Sequence, residues 1–168
     1  ITAEDLAVAS AKAGIERYRK GGLTVLVLDG NGHPVPEAEV SIAQQSRDFL
    51  FGFFDQYDGI GASGVSELQN DGFNYFTAGV YWNESEPQND VYDWDRLDDS
   101  VGILPMSKLG FAVKAHPLIW MFDLSMPDYL LSMNESETAS EVNDHIGALV
   151  SRYASQIDRW EVINEAHG

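Results

Sequence analysis

From Arg47 onward the chain keeps one rhythm, in which short apolar runs are separated by longer stretches of helical spacing. The runs are Phe49 to Phe54, Phe73 to Ala78, Ala112 to Trp120 and Trp160 to Asn164. Between them lie a Ser63 to Gln69 segment, a Trp94 to Leu109 segment interrupted by Pro105, and a stretch from Glu137 to Tyr153. In the last of these, Val142, His145, Ile146, Leu149, Val150 and Tyr153 recur at spacings of three and four, the pattern of an amphipathic helix laid on a sheet. Strand, helix and strand in repetition imply parallel pairing, because a parallel neighbour needs a long crossover and a helix supplies it. The predicted fold class is therefore α/β. Four strands over roughly 115 residues make the first half, strands 1 to 4, of a (β/α)8 barrel, whose usual length is about 250 residues.

Residues 1–47 follow a different plan. Thr2-Ala3-Glu4-Asp5 has the form of a capping box, and Leu6, Ala9, Ala13 and Ile15 to Tyr18 continue as a loose helical stripe up to Gly21-Gly22, which predicts a helix over 3–20. Leu23 to Leu28 is β-rich, Asp29-Gly30-Asn31-Gly32 is turn chemistry, and Val40 to Ala43 alternates. Together they predict a hairpin with a long, proline-bearing connection. The expected organisation is an N-terminal helix and β-hairpin appendage over 1–47, followed by the barrel half over 48–168. The chain starts at Ile1 with no charged leader or apolar signal segment and stops three residues past Asn164-Glu165, so a cut at both ends is expected.

Charge excludes several functions. Ten Lys+Arg stand against 27 Asp+Glu, a formal net charge of −17. Such a surface repels phosphate backbones and anionic headgroups, so neither nucleic acid nor a membrane surface is an expected partner. The longest apolar stretch, Phe111 to Phe122, is broken by Lys114, His116 and Pro117 and falls short of the ~20 residues a membrane span needs. With no cysteine there is no disulfide, thiolate metal site or Cys nucleophile. His33, His145 and His167 lack metal-ligand spacing with carboxylates, so no metal and no other cofactor is expected.

Functional side chains of such barrels gather at the C-terminal ends of the strands. Here those ends hold Tyr81-Trp82-Asn83-Glu84-Ser85-Glu86-Pro87, His116-Pro117-Leu118-Ile119-Trp120 and Asn164-Glu165. Aromatic faces stack on the C–H face of a sugar ring, while Asn, His and Glu bond its hydroxyls, so the set suits a carbohydrate better than a phosphate or a metal. Glu86, Trp94 and Asp98 read as structural, pinning the loop into the next helix.

In order and spacing, several motifs resemble the family 10 glycoside hydrolases, the endo-β-1,4-xylanases and their relatives. They are Phe49-Leu50-Phe51-Gly52, Phe73-Asn74, Trp82 with Glu86-Pro87, Tyr92-x-Trp94 with Asp98, Lys114 to Trp120, and Trp160 to Ala166. The resemblance implies a retaining, endo-acting enzyme on β-1,4-linked polysaccharide such as xylan, with Glu165 as general acid/base. It also implies that Asn164 holds a sugar hydroxyl and that His116 and Trp120 belong to the same subsite. Trp82 and Tyr81, from the strand-end aromatic set, are candidate further substrate contacts. Protonating a glycosidic oxygen needs a carboxylic acid kept neutral near pH 7, which burial beside a second carboxylate can achieve. That second carboxylate, the nucleophile, sits in the family on the seventh strand, beyond this chain, so the 168 residues alone are expected to be inactive and to lack their partner, the C-terminal half of the barrel. Thr77-Ala78-Gly79-Val80-Tyr81 departs from the family's usual Glu, Asn and Lys before the Trp, and Met121, Phe122 and Asp123 follow Trp120. A divergent member with a shifted preference among β-glycans is expected, in a secreted setting. The competing readings are a non-catalytic carbohydrate-binding barrel and a β-glucanase or β-glycosidase of the same clan.

The acid excess makes a first prediction. Self-repulsion at a net charge of −17 is screened beyond about 3 Å in molar salt, so the thermal unfolding midpoint should rise between low salt and 1 M (roughly seawater-brine strength) NaCl. A flat or falling midpoint would show that repulsion does not limit stability.

Overall fold

The computed structural model describes residues 1–45, 47–55 and 57–166, and His167 lies outside them. The chain divides into two compact units, Ile1–Gln45 and Ser46–Gly168.

The first unit opens on α1 (Ala3–Tyr18), entered through the expected capping box: the Asp5 amide donates to Thr2 Oγ1 at 3.1 Å and the Thr2 amide donates to Asp5 Oδ2 at 2.8 Å. No α1 residue is buried. The expected hairpin shrinks to one antiparallel bridge, Leu28 with Pro34, closed by Asp29 N to His33 O at 2.8 Å and Val35 N to Val27 O at 2.9 Å. Asp29 shapes the turn by accepting from the amides of Asn31 and His33. Val40 to Ala43 forms no strand. Pro34 and Pro36 remove ladder donors from the returning arm, and Glu37 at φ 57° turns the chain before Val40 is reached.

The second unit carries the alternating pattern. Its elements are β1 (Gly52–Phe54), α2 (Tyr57–Asn70), β2 (Tyr75–Gly79), the short α3 (Trp82–Ser85), a π-helical turn at Arg96–Ser100 and α4 (Ile103–Lys108). They are followed by β3 (Ala112–His116), β4 (Ile119–Trp120), a 3₁₀ turn at Asp128–Ser132, α5 (Glu135–Tyr153), β5 (Arg159–Trp160) and β6 (Ile163–Asn164). All pairing within the two sheets is parallel, in the order β1-β2-β3-β5 with β4-β6 as a separate pair. This is the α/β arrangement that the sequence rhythm predicts. Asn134 is the N-cap of α5, accepting from the amides of Ser136 and Glu137.

Two expected strands are each split. Three residues lie between the paired positions Ala115 and Ile119, whereas two lie between their partners Trp160 and Ile163, so the β3–β4 segment holds one extra residue opposite β5–β6. Pro117 has no N–H to give a ladder, and the surplus falls there as a bulge would. The bulge resets the alternation, so that Ala115, Leu118 and Ile119 are all buried. Pro105 does not interrupt the stretch from Trp94 to Leu109. It sits in the first turn of α4, where a missing N–H costs nothing, and the break comes at Gly102 with φ 90°.

The core lies between the sheet and its helices. Phe76, Ala78 and Val113 with Ala115 share one face through the register Phe76 to Val113 and Ala78 to Ala115, and pack with Val65, Leu97, Val101, Ile103, Met106, Leu149 and Tyr153. Thr77, Lys114 and His116 alternate onto the opposite face, which remains half-buried and polar.

Gly102 is closed to a side chain on two counts. Its φ of 90° disfavours any Cβ, and an added Cβ would fall inside the Tyr57 side chain. Gly102→Ala should cost about 2–4 kcal/mol through strain and overpacking, read as a lower urea midpoint with unchanged slope. An unchanged midpoint would refute the constraint.

Candidate active site

The ends of β2, β3, β4 and β6 meet at one rim. Val80 N donates to His116 O at 2.9 Å, tying the exit of β2 to that of β3. Beyond the bulge, Leu118 N donates to Glu161 O and Ile119 N to Val162 O, both at 2.9 Å, and Trp120 stands in register with Asn164. The next residue, Glu165, has φ 47°, a left-handed conformation that a residue other than glycine adopts at a cost. Its Oε2 accepts the Trp120 indole N–H at 2.8 Å. Backbone and indole therefore aim one exposed carboxylate into the rim.

His116 is held from below. Its Nδ1 lies 3.1 Å from Glu161 Oε2, which also takes the ammonium of Lys114. The Lys114 hydrogen bond, with a smaller contribution from His116, outweighs partial burial and holds the Glu161 carboxyl below its ordinary range. Tyr81 leans edge-on to His116 at 6.3 Å and is tilted against Trp120 at 6.1 Å. Burial, then the nearby Glu84 carboxylate, raises the Tyr81 phenol above its usual pKa, so it stays a neutral hydrogen-bonding group. Gly79 makes this packing possible, since a Cβ there would stand 3.2 Å from the Tyr81 ring and 3.5 Å from that of Phe54.

Of the residues singled out in the sequence, the structure thus brings Glu165, Asn164, His116, Trp120 and Tyr81 to one rim. It removes Trp82. That side chain is 1% exposed, stacks on His145 with centroids 4.3 Å apart, and donates its indole N–H to Glu86 at 2.9 Å and to Tyr129 at 3.1 Å. A ring so enclosed cannot touch a substrate. Glu86 reads as structural and is: fully buried, it accepts from His145 Nδ1 at 2.8 Å and from the Asp90 amide at 2.9 Å. Burial opposes its ionisation, but the bonds from His145, Asp90 and Trp82 prevail and keep it below the usual carboxylate range. The His145 ring thereby pins α5 to the loop that leads out of Tyr81.

Sequence reasoning missed Glu161, the anchor under Lys114 and His116, and two aromatics, Phe54 and Phe122. Phe54 lies edge-on to His116 at 5.8 Å, and Phe122 stacks on Trp120 at 4.9 Å. A signal for Glu161 was present, because a carboxylate inside an apolar strand needs a cationic partner and Lys114-x-His116 lies on the facing strand. No spacing marks Phe54 or Phe122.

Residues 42–167 match the model of glycosyl hydrolase family 10. The chain belongs to this family. Among curated proteins, the anti-sigma-I factor RsgI6 of Acetivibrio thermocellus is 22% identical over 96% of this chain and 21% of its own length. The endo-1,4-beta-xylanase of Agaricus bisporus is 31% identical over 106 residues, 60% of this chain and 31% of the enzyme. The family 10 chain thus spans about a fifth to a third of the length of these relatives. Among solved structures, xylanase 10B from Thermotoga petrophila RKU-1 in complex with xylobiose superposes with a TM-score of 0.57 at 19% identity, over 71% of this chain and 37% of that one, which shows a shared barrel fold.

The Glu161 cluster of this family 10 chain has a testable sign. A carboxyl whose folded pKa is depressed contributes stability above its ordinary value, 4.5 here, and loses it as the pH falls through the folded value. Glu161→Gln should therefore be less stable than the wild type above pH 4.5 by a constant margin that shrinks toward acid. Denaturant curves from neutral to acid pH would show it, and a margin independent of pH would exclude the ionic account.

Proposed function

We propose that this chain supplies the acid half of a retaining, endo-acting glycoside hydrolase that cleaves β-1,4-linked polysaccharide such as xylan. The carrying observation is Glu165, held at the strand-end rim by the Trp120 indole N–H and placed one residue after Asn164, in a chain of family 10. Glu165 is the general acid/base, protonating the glycosidic oxygen as a carboxylate attacks the anomeric carbon, then taking a proton from the water that releases the sugar. Asn164, His116, Trp120 and Tyr81 hold the sugar at that point.

The nucleophile lies outside this chain. The carboxylates nearest the rim on the β2 exit are committed elsewhere, Glu84 to Arg96 and Glu86 to His145 and Trp82. Exposure of Phe51, Phe54, Val162 and Ile163 on the outer strands supports further strands, the second half of a barrel, as the partner of residues 48–168. Residues 1–47 form an appendage before it. The setting is extracellular, in keeping with an insoluble polymeric substrate, and no helix among the described residues is long and apolar enough to cross a membrane.

A non-catalytic glycan-binding barrel is the second reading, favoured by the match of nearly the whole chain to a protein named as an anti-sigma factor. In the complete protein, Glu165→Gln should lower xylan turnover by about 10²–10⁴-fold while sparing glycosylation by an aryl xyloside with an activated leaving group, which needs no proton. Equal losses on both would end the acid role, and a wild type that binds xylan without hydrolysis would favour the second reading.

A further inference from the structure

The loop after β4 shows a combination that the site described so far leaves unused. Met121, Phe122 and Leu124 are 83%, 45% and 76% exposed, yet the backbone that carries them is firmly held. Phe122 N donates to Trp120 O at 2.7 Å, and Phe122 O accepts from Ser125 N at 2.8 Å and Met126 N at 3.2 Å. Buried Ser125 adds its hydroxyl to the Trp120 and Phe122 carbonyls, and Asn83 clamps the loop through Ser125 O at 3.1 Å and Leu124 O at 2.8 Å. Fixing an exposed aromatic so thoroughly gains little for the fold. It removes the ordering entropy that a ligand would otherwise have to overcome.

We propose that Phe122 is a glycan-stacking platform, binding a sugar unit next to the one held at Glu165. This rests on the reading of the rim as a β-glycan site. One face of Phe122 lies on Trp120, centroids 4.9 Å apart and planes 28° from parallel, so the exposed part of the ring looks away from Trp120 toward solvent. Trp120 in turn bonds Glu165, which places Phe122 one ring beyond the acid along a row that continues through Tyr81. An aromatic face takes the apolar C–H face of a pyranose, and Asp123, the next residue in the chain, carries a carboxylate that can accept hydroxyl protons. A neutral sugar chain brings no charge to this surface. A second copy of this chain would bring another −17 and be repelled.

The test is calorimetry on the complete protein carrying Glu165→Gln, so that the probes are bound and not cleaved, with linear xylo-oligosaccharides from xylobiose to xylohexaose, comparing wild type at position 122, Phe122→Leu and Phe122→Tyr. Leucine keeps the apolar volume and loses the face, whereas tyrosine keeps the face. Phe122→Leu should weaken binding of the longer oligosaccharides by about three- to tenfold and leave xylobiose nearly unchanged, with Phe122→Tyr close to wild type. No loss, an equal loss at every length, or a loss shared by Phe122→Tyr would overturn the platform while leaving the glycan site standing. A change in sedimentation behaviour without a change in glycan affinity would assign the loop to a protein contact and overturn it too. A protein with Phe122 intact that binds none of the oligosaccharides would overturn the glycan reading itself, and the platform with it.

Discussion

The backbone pairing between the β3–β4 segment and the β5–β6 segment is the constraint on which the rim depends. Parallel ladders fix register residue by residue, and the single surplus residue at Pro117 shifts that register once, just below the rim. Below the shift, Lys114 and His116 face Glu161. Above it, Trp120 faces Asn164 and reaches Glu165. Without the extra residue the alternation would carry on unbroken, and Trp120 would move relative to Glu165 by one pleat. The positive φ of Glu165 completes the geometry, turning the chain so that the carboxylate meets an indole rather than continuing along the strand.

With only ten cationic side chains among 168 residues, where each is placed matters. Three of the six in the second unit form ion pairs, Lys114 to Glu161, Arg96 to Glu84, and Arg152 to Asp98 at 2.5 Å, with the Arg152 guanidinium also lying over the Trp94 ring. The deepest carboxylate, Glu86, has no cation from Lys or Arg. It is satisfied by hydrogen bonds from an indole, an imidazole and an amide instead. That choice suits burial, because several converging hydrogen bonds satisfy the carboxylate where water cannot reach it. It leaves His145 Nε2 in the core without a hydrogen-bond partner among the described residues.

The α/β alternation was legible because it depends on hydrophobic period, a property of sequence alone. Helix α5 shows this well, with His145, Leu149 and Tyr153 buried at the spacing that predicts it. The hairpin was not legible, since Val40 to Ala43 has strand composition and pairing needs donors that Pro34 and Pro36 withhold. That Glu165, Asn164, His116, Trp120 and Tyr81 share one rim was legible, because strand ends in a parallel sheet converge. Trp82 could not be placed correctly, because the feature that buries it is a histidine 63 positions later whose stacking no local pattern announces. Residue type says that a tryptophan can bind a sugar, and only packing says whether its face is free.

Burial across the parallel sheet follows the same logic outward. The central strands β2 and β3 bury Phe76, Ala78, Val113 and Ala115 completely, while Phe51 and Phe54 around β1 and Val162 and Ile163 around β6 stay half exposed. A helix-covered parallel sheet ordinarily buries both faces, and its exposed edges invite pairing with further strands. Within the strands and their immediate flanks, the uncovered apolar residues Phe51, Phe54, Val162 and Ile163 thus lie at the lateral edges, whereas Met121, Phe122 and Leu124 lie with the polar and aromatic groups at the C-terminal rim. Each kind of exposure suits a different partner: backbone and apolar side chains at the edges suit more sheet, and ring faces with hydroxyl-bonding groups at the rim suit a sugar chain.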